Sequence, residues 1–257
     1  MPIAAYFDAG GHQEDQKYLV VAGFAAPVKS WIEFELSWRN RLSKDGLEYF
    51  HAVEFAHSRG QFARDWRADE TRRRSLLSDL MNIIKRNVSR KFSTVIINEA
   101  LNEMSDDTKT QFHINAYSLA ARTCAARLRE WMFRERWEQE PQLIFESGDI
   151  GAGLLTKSLI RDGFPEPSFK AKRDQPNTDG SNLPAPTALQ AADWLAYEVF
   201  LATKANDVRR WAMEQFLTTP GNVGLYEARD VKRLKQILEV PANELLLGTL
   251  WDARRLT

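Results

Sequence analysis

Apolar residues recur along most of the chain either in short runs or at helical spacing, which predicts alternating strands and helices. Trp31, Phe34, Trp38 and Leu42 follow one another at intervals of three and four residues, the period of an amphipathic helix. Short apolar runs that end in glycine or polar residues are typical of buried strands. We predict strands over residues 3–7, 18–24, 92–97 and 142–145, an edge strand over 167–171, and further helices over 69–85, 112–137, 154–160 and 188–202.

This alternation predicts an α/β fold built on one mixed β-sheet that is flanked by helices. The polar segment between the first two strands favours an antiparallel hairpin, which makes the sheet mixed rather than wholly parallel. We assign residues 1–205 to the α/β domain and residues 206–257 to a C-terminal helical extension packed on the same domain. A chain of 257 residues is long enough to bury one full core.

Composition narrows the classes of function only slightly. The chain has 35 basic and 35 acidic residues, so its net charge does not indicate a nucleic-acid partner. A basic groove and an acidic metal site can cancel, however, so neutrality is compatible with a nuclease. The single cysteine, Cys124, excludes an internal disulfide and a cysteine-based zinc cluster, and we expect a packed, unreactive thiol. The sequence shows no secretory leader and no apolar stretch long enough for a membrane, so we expect a cytoplasmic protein.

Acidic residues at the ends of predicted strands are the strongest candidates for chemistry. Asp8 and Glu146 each end such a strand, where open α/β sheets bind their ligands, although Asp8 could equally cap its turn. Asp149 follows Glu146 closely and is also well placed to cap a helix. Asp193 lies in a helix that is apolar almost all round, so its carboxylate needs a hydrogen-bond donor, a cation or a metal. Acids that converge on one point favour Mg²⁺ or Mn²⁺, hard cations that prefer oxygen ligands.

Other polar residues near these acids are secondary candidates. His51 and Glu54 share a face if their segment becomes helical, but a single histidine beside a strand is more often structural. Gln190 lies one helical turn before Asp193 on the same face.

Basic residues occur in several short clusters, each more typical of a solvated surface than of a groove. These clusters include residues 72–74 and 85–86. Lys170, Lys172 and Arg173 are the best candidates for phosphate contact, because they precede the loop, predicted over residues 174–187, that leads to the helix of Asp193.

Together these segments resemble a known protein family. Residues 6–11, the strand over 18–24, the segment 50–52 and residues 189–196 are similar to the family catalogued as domain of unknown function 3800. That family is common in bacteria and their mobile elements and is grouped with ribonuclease H-like nucleases. The resemblance covers roughly residues 3–200 and implies a ribonuclease H-like α/β fold.

The resemblance also implies which residues form the site. The first aspartate of the family carries over to Asp8, its histidine to His51, and its Gln-x-x-Asp motif to Gln190 and Asp193. We take Glu146 as the middle acid, with Asp149 as the fallback. The family usually opens with Asp-Glu-Ser-Gly, whereas this chain reads Asp-Ala-Gly-Gly from Asp8, so the second acid and the serine are absent.

Three functions remain open at this point. The first is a divalent-metal-dependent nuclease or related phosphodiester-transfer enzyme acting on DNA or RNA, in which Asp8, Glu146 and Asp193 hold Mg²⁺ or Mn²⁺ and a bound water attacks phosphorus. His51 or Glu54 would assist that reaction.

In this first hypothesis Gln190, Lys170, Lys172 and Arg173 would bind the substrate.

The second function is a nucleotide-phosphate enzyme of the sugar-kinase and actin type, because the two Asp-containing glycine turns, at residues 8–11 and 149–151, resemble its phosphate loops. The third is a non-catalytic module that binds nucleic acid or protein, which the altered opening motif favours. We expect no membrane partner, and the sequence leaves the oligomeric state open.

Overall fold

The computed structural model of the chain describes residues 1–11, 17–176 and 182–238. Within these residues the strands are β1 (Ile3–Gly10), β2 (Tyr18–Pro27), β3 (Arg90–Ile97), β4 (Gln142–Glu146), β5 (Ser168–Lys170), β6 (Gln175–Pro176), β7 (Asn182–Leu183) and β8 (Gly221–Tyr226). The helices are α1 (Val28–Ser43), α2 (Ala52–Ala56), α3 (Glu70–Asn87), α4 (Asp106–Phe112), α5 (Ala116–Arg134), α6 (Ala152–Arg161), α7 (Ala188–Ala205), α8 (Trp211–Leu217) and α9 (Ala228–Leu238).

The main sheet is mixed and has the strand order β5-β4-β1-β2-β3-β8 in the described part of the chain. Strands β1, β2 and β3 pair antiparallel, whereas β4 runs parallel to β1, β5 parallel to β4, and β8 parallel to β3. The register sets Phe7 of β1 beside Phe145 of β4. Asp8 and Glu146, one residue further along each strand, therefore lie side by side.

Helices cover both faces of this sheet, as the predicted α/β fold requires. Because side chains alternate along a strand, Val20 and Phe24 of β2 belong to a core with α1, α3, α7 and α8, whereas Leu19 and Val21 belong to a second core with α5, α6 and α9. Ala4 and Tyr6 of β1 face the first of these cores, so the same alternation directs Asp8 towards α7.

The predicted elements are largely confirmed. The four apolar residues from which we predict α1 are all buried along its length, and burying each such side chain contributes about 1.5–3 kcal/mol. The initial antiparallel hairpin is confirmed by the pairing of β1 with β2. Cys124 is fully buried in α5, and burial raises the pKa of its thiol to about 12, as expected for an unreactive cysteine.

Helix α7 lies unusually near β1 because small residues separate the two backbones. Ala191, Ala192 and Ala196 are all buried along the helix. A Cβ atom added at Gly10 would lie 3.1 Å from the carbonyl oxygen of Ala196, closer than most real side chains approach backbone. This short separation brings Asp193 down to the end of β1.

The long helix predicted over residues 112–137 is wrong at its start. Helix α4 ends at Phe112, and His113 adopts a left-handed conformation with φ of 54°, which a continuous helix does not allow. Helix α5 then begins with its own cap, since the Asn115 side chain accepts from the Ser118 N–H and the Ser118 hydroxyl accepts from the Asn115 N–H. The left-handed residue and the new cap therefore divide the single helix that the apolar pattern predicts into α4 and α5.

The prediction of a wholly helical C-terminal extension is also wrong, because β8 extends the main sheet beside β3. Val223 and Leu225 of β8 are about half exposed, as suits an edge strand, so the apolar signal was weak. Phe216 of α8 is fully buried and packs against Phe24 and Trp194. The extension thus shares the core of the domain as far as residue 238, and residues 239–257 lie outside the described chain. Likewise, the predicted loop over residues 174–187 contains the small β6–β7 pair, with residues 177–181 undescribed.

Candidate metal centre

Three carboxylates from three different elements converge on one cation. Asp8 lies near the end of β1, Glu146 ends β4, and Asp193 lies in α7. The ammonium of Lys172 donates to Asp8 Oδ2 at 2.9 Å and to Asp193 Oδ1 at 3.0 Å, and it pairs with Glu146 Oε2 at 3.1 Å. Strand register and the close approach of α7 therefore bring together three acids separated by more than 180 residues of sequence.

The centre is buried and carries excess negative charge. The side chains of Asp8, Asp193 and Lys172 are only 1%, 8% and 15% exposed. Burial raises the pKa of Asp8 well above its usual value, and the charges of Asp193 and Glu146 raise it further against the opposing effect of Lys172. Burial by itself would lower the pKa of Lys172, but the surrounding carboxylates hold it well above its ordinary value. Lys172 is thus a permanent cation that meets only part of the charge around it.

Asp149 extends this centre. One carboxylate oxygen each from Asp8, Glu146 and Asp149 lie within 4.8 Å of one another, a spacing at which they could hold a metal ion. Glu146 and Asp149 are partly exposed, so this side of the centre is open to solvent. Asp149 thus joins the cluster together with Glu146, rather than replacing it as the middle acid.

Tyr117 is a member of the site that the sequence analysis missed. Its hydroxyl is buried, with no hydrogen-bond partner among the described residues. Burial first, and then the negative charges of Asp149, Asp8 and Glu146, raise the pKa of this phenol well above its usual value, so it stays a neutral donor. No motif marks Tyr117, since it follows the cap of α5 in an ordinary helical pattern.

Asp193 is fixed by the segment that precedes α2. The backbone N–H of Ala52 donates to Asp193 Oδ2 at 2.7 Å, and His51 Nε2 lies 3.6 Å from Asp193 Oδ1. The other oxygen of the carboxylate thus remains directed at the cation. His51 and Asp193, which the family resemblance pairs in one site, are neighbours in the structure.

Gln190 has a different role from the predicted substrate contact. It is 3% exposed, and its Oε1 accepts from Trp38 Nε1 at 2.9 Å and from the Phe50 backbone N–H at 2.8 Å. Its Nε2 donates to the carbonyl oxygen of Lys172 at 3.1 Å. Because its amide is buried and occupied, Gln190 positions the two segments that bring His51 and Lys172 to the acids.

Glu54 and Arg173 form a second ion pair beside the centre. Arg173 donates to Glu54 Oε1 at 2.5 Å and to His51 Nδ1 at 3.2 Å, and its guanidinium lies 4.0 Å from the centre of the Tyr49 ring. The same Nδ1 lies 3.4 Å from Glu54 Oε1, so His51 contacts both members of this ion pair. Burial would raise the pKa of Glu54, but hydrogen bonds from Tyr49 and Arg173 lower it, so Glu54 stays ionised.

The predicted phosphate-binding residues are distributed unevenly around the site. Lys170 lies beside Glu146 in the β4–β5 register, yet its side chain is exposed. Lys172 contacts carboxylates rather than solvent, and Arg173 is 43% exposed above Tyr49. Among the three basic residues predicted to bind phosphate, Lys170 and Arg173 are therefore the accessible ones in this conformation.

Comparison with known proteins identifies no relative of the chain. No family model, no curated protein and no solved structure matches the chain. The resemblance that rests on Asp8, His51 and the Gln190–Asp193 motif therefore stays a prediction. Within residues 1–11, 17–176 and 182–238, none of the helices combines the length and the apolar character needed to cross a bilayer.

Proposed function

We propose that the chain is a divalent-metal-dependent nuclease, or a related phosphodiester-transfer enzyme, with a ribonuclease H-like fold. The observation that carries this proposal is the cluster of Asp8, Glu146 and Asp149, whose carboxylate oxygens lie within 4.8 Å of one another. Carboxylate oxygens at that spacing could hold one metal ion. Mg²⁺ and Mn²⁺ are the ions that suit an all-oxygen ligand set.

The negative charge of the cluster favours a divalent cation over the single positive charge of Lys172. Lys172 supplies one positive charge against three carboxylates, and Asp149 adds a fourth on the open side. Buried carboxylates in excess are costly unless they are paired or bind a metal. The carboxylates spaced to share one divalent ion are Asp8, Glu146 and Asp149, whose oxygens lie within 4.8 Å of one another, while Asp193 faces the same ammonium from α7.

Each group around the centre has a role in phosphodiester chemistry. A divalent ion supplies charge stabilisation for a phosphoryl oxygen and lowers the pKa of a bound water. His51 places its Nε2 3.6 Å from Asp193 Oδ1, where the ring can orient water or a leaving oxygen. Arg173, partly exposed and preoriented by Glu54, can donate to a phosphate with its remaining N–H groups.

A divalent ion at this centre would compete with Lys172 for Asp8 and Glu146. The backbone of Lys172 is anchored, since Gln190 holds its carbonyl oxygen. With a metal bound, the side chain of Lys172 would be released to contact a substrate phosphate, which is the contact predicted for it.

Mn²⁺ titration by calorimetry tests this proposal, with the wild type, Asp8→Asn and Asp193→Asn. We expect stoichiometric binding that both substitutions abolish, and cleavage of an oligonucleotide only by the wild type. Asp79→Asn is the matched control, because Asp79 is a half-exposed carboxylate paired with Arg41 far from the centre. Absence of Mn²⁺ binding to folded wild type, both alone and with an oligonucleotide, would contradict the proposal.

A non-catalytic module that binds nucleic acid or protein is the second candidate. The ion pairs of Lys172 favour it, because they already join the three acids without a metal. Ala9 in place of the second acid of the opening motif points the same way. Oligonucleotide binding that persists in Asp8→Asn, without Mn²⁺ binding or cleavage by the wild type, would select this candidate.

A further inference from the structure

A cavity of about 400 Å³ lies beside the candidate metal centre, between α2, α3 and α7. Arg73 and Arg74 of α3, His57, Tyr197 and Arg210 are among its lining residues. From the sequence, residues 72–74 are predicted to form a solvated surface cluster. In the structure, Arg73 is half-buried and lines this cavity instead.

Three arginines and two glutamates, Glu70 and Glu198, line the cavity, so arginines exceed carboxylates there by one. Arg210 is held by Glu198 through contacts of 2.7 and 3.1 Å, and Arg74 pairs with Glu70 at 2.9 Å. Arg73 has no ion-pair partner among the described residues.

The contacts of Arg73 fix its position without neutralising its charge. It donates to the carbonyl oxygen of Phe55 at 2.6 Å, and its guanidinium lies 4.1 Å from the centre of the Phe55 ring. A second contact joins it to the Ser58 hydroxyl at 3.4 Å. A guanidinium that is oriented by neutral groups keeps N–H donors and a full charge for an anion.

The cavity and the metal centre share structural elements. Ala52 lines the cavity, and its backbone N–H is the group that fixes Asp193. Tyr197 lines the cavity and follows Asp193 by four residues of α7, a rise of about 6 Å along the helix. The start of α2 and helix α7 are therefore common to the centre and the cavity.

We propose that this cavity binds a backbone phosphate of a nucleic-acid strand, next to the phosphodiester held at the metal centre, with Arg73 as the main contact. The inference rests on the proposed function and adds to it a second point of attachment for the strand. Arginine suits this role because its planar N–H groups match phosphate oxygens in pairs. Two contacts on one strand would set which phosphodiester lies at the acids.

Fluorescence anisotropy of labelled oligothymidylate, in EDTA and at low salt, tests the inference without any cleavage. We expect Arg73→Gln to weaken binding about tenfold, the effect of losing a charged hydrogen bond. The slope of log affinity against log salt should also fall by about 0.7, the value for one phosphate contact on a single strand. Arg86→Gln is the control, because Arg86 is exposed on the same helix outside the cavity and should leave both values unchanged.

A second variant controls for an effect of Arg73→Gln on folding. Arg74 lines the same cavity with a side chain that is 80% exposed, so Arg74→Gln leaves the core intact and should also weaken oligothymidylate binding. Wild-type affinity in both variants, with folding verified by circular dichroism, would overturn the inference. Equal affinity of the wild type for thymidine monophosphate and oligothymidylate would also overturn it, because the cavity would then be a nucleotide site.

The result is separable from the proposed function. If the wild type binds Mn²⁺ and oligothymidylate but Arg73→Gln and Arg74→Gln bind the strand normally, only the cavity inference fails. If the wild type binds neither ligand, both the function and the inference fail.

Discussion

Replacing Lys172 by methionine separates a metal site from a purely structural salt bridge. Methionine is unbranched and one atom shorter than lysine, and it removes the charge, so three carboxylates lose their shared cation. Removing one partner of a buried ion pair costs about 3–5 kcal/mol. The Lys172 side chain is 15% exposed and Glu146 is 20% exposed, so we expect the lower end of that range, about 3 kcal/mol.

The size of this loss sets the expected shift in melting temperature. For a domain of this length, about 3 kcal/mol lowers Tm by roughly 6–12 °C. We expect that shift in EDTA, followed by circular dichroism. A ligand at a hundred times its dissociation constant returns about 2.7 kcal/mol, so Mn²⁺ should restore most of the lost stability.

Mn²⁺ should also bind Lys172→Met more tightly than the wild type, because no ammonium has to be displaced. Lys204→Met is the matched control, since Lys204 is exposed on α7 and should change neither Tm nor metal affinity. If Mn²⁺ stabilises Lys172→Met no more than it stabilises the wild type, the ammonium does not occupy a metal position. The cluster would then be a structural ion-pair network.

Three further predictions concern the surroundings of the centre. Gln190→Leu removes the hydrogen-bond partner of an indole N–H, a backbone N–H and a backbone carbonyl. It should lower the free energy of unfolding, measured in urea, by about 3 kcal/mol. A loss smaller than that of an ordinary surface substitution would refute the positioning role of Gln190. Burial would raise the pKa of Asp45, but hydrogen bonds from Arg41 and Arg72 lower it, so the stability that Asp45 contributes is complete above the ordinary carboxyl pKa and disappears as pH falls through the lowered value. The urea midpoints of the wild type and Asp45→Asn should therefore converge in acid. A difference that stays constant with pH would contradict this. Burial raises the pKa of Cys124 to about 12, so an aromatic disulfide reagent should react with it only in denaturant, and rapid labelling of the native protein would be inconsistent with the packing.

The site could be predicted in part because acids at strand ends have a local signature. Asp8 and Glu146 each follow a short apolar run, and Asp193 interrupts an apolar helix, so each is anomalous within its own segment. Their convergence follows from the parallel register of β1 with β4 and from the small residues that let α7 approach. The first of these is a long-range pairing, which no local pattern specifies.

Lys172 shows most clearly where sequence reasoning ends. It lies in the short basic segment of residues 170–173, so it is indistinguishable there from Lys170, whose side chain is exposed. What separates the two residues is the path of the chain after β5, which the amide of Gln190 holds from another element. Tyr117 is similar, since only tertiary packing places its hydroxyl beside the acids.

The sequence by itself therefore determined the α/β class, the strands and helices with strong periodicity, and the individual acids that could bind a metal. Each of these depends on residues within about one element of one another, where hydrophobic period and turn chemistry act directly. Only the tertiary structure decided that β8 completes the sheet, that Lys172 holds the three acids and that Arg73 faces a cavity. Those features depend on contacts between segments far apart in the chain, and such contacts form only where packing of the whole core brings the segments together.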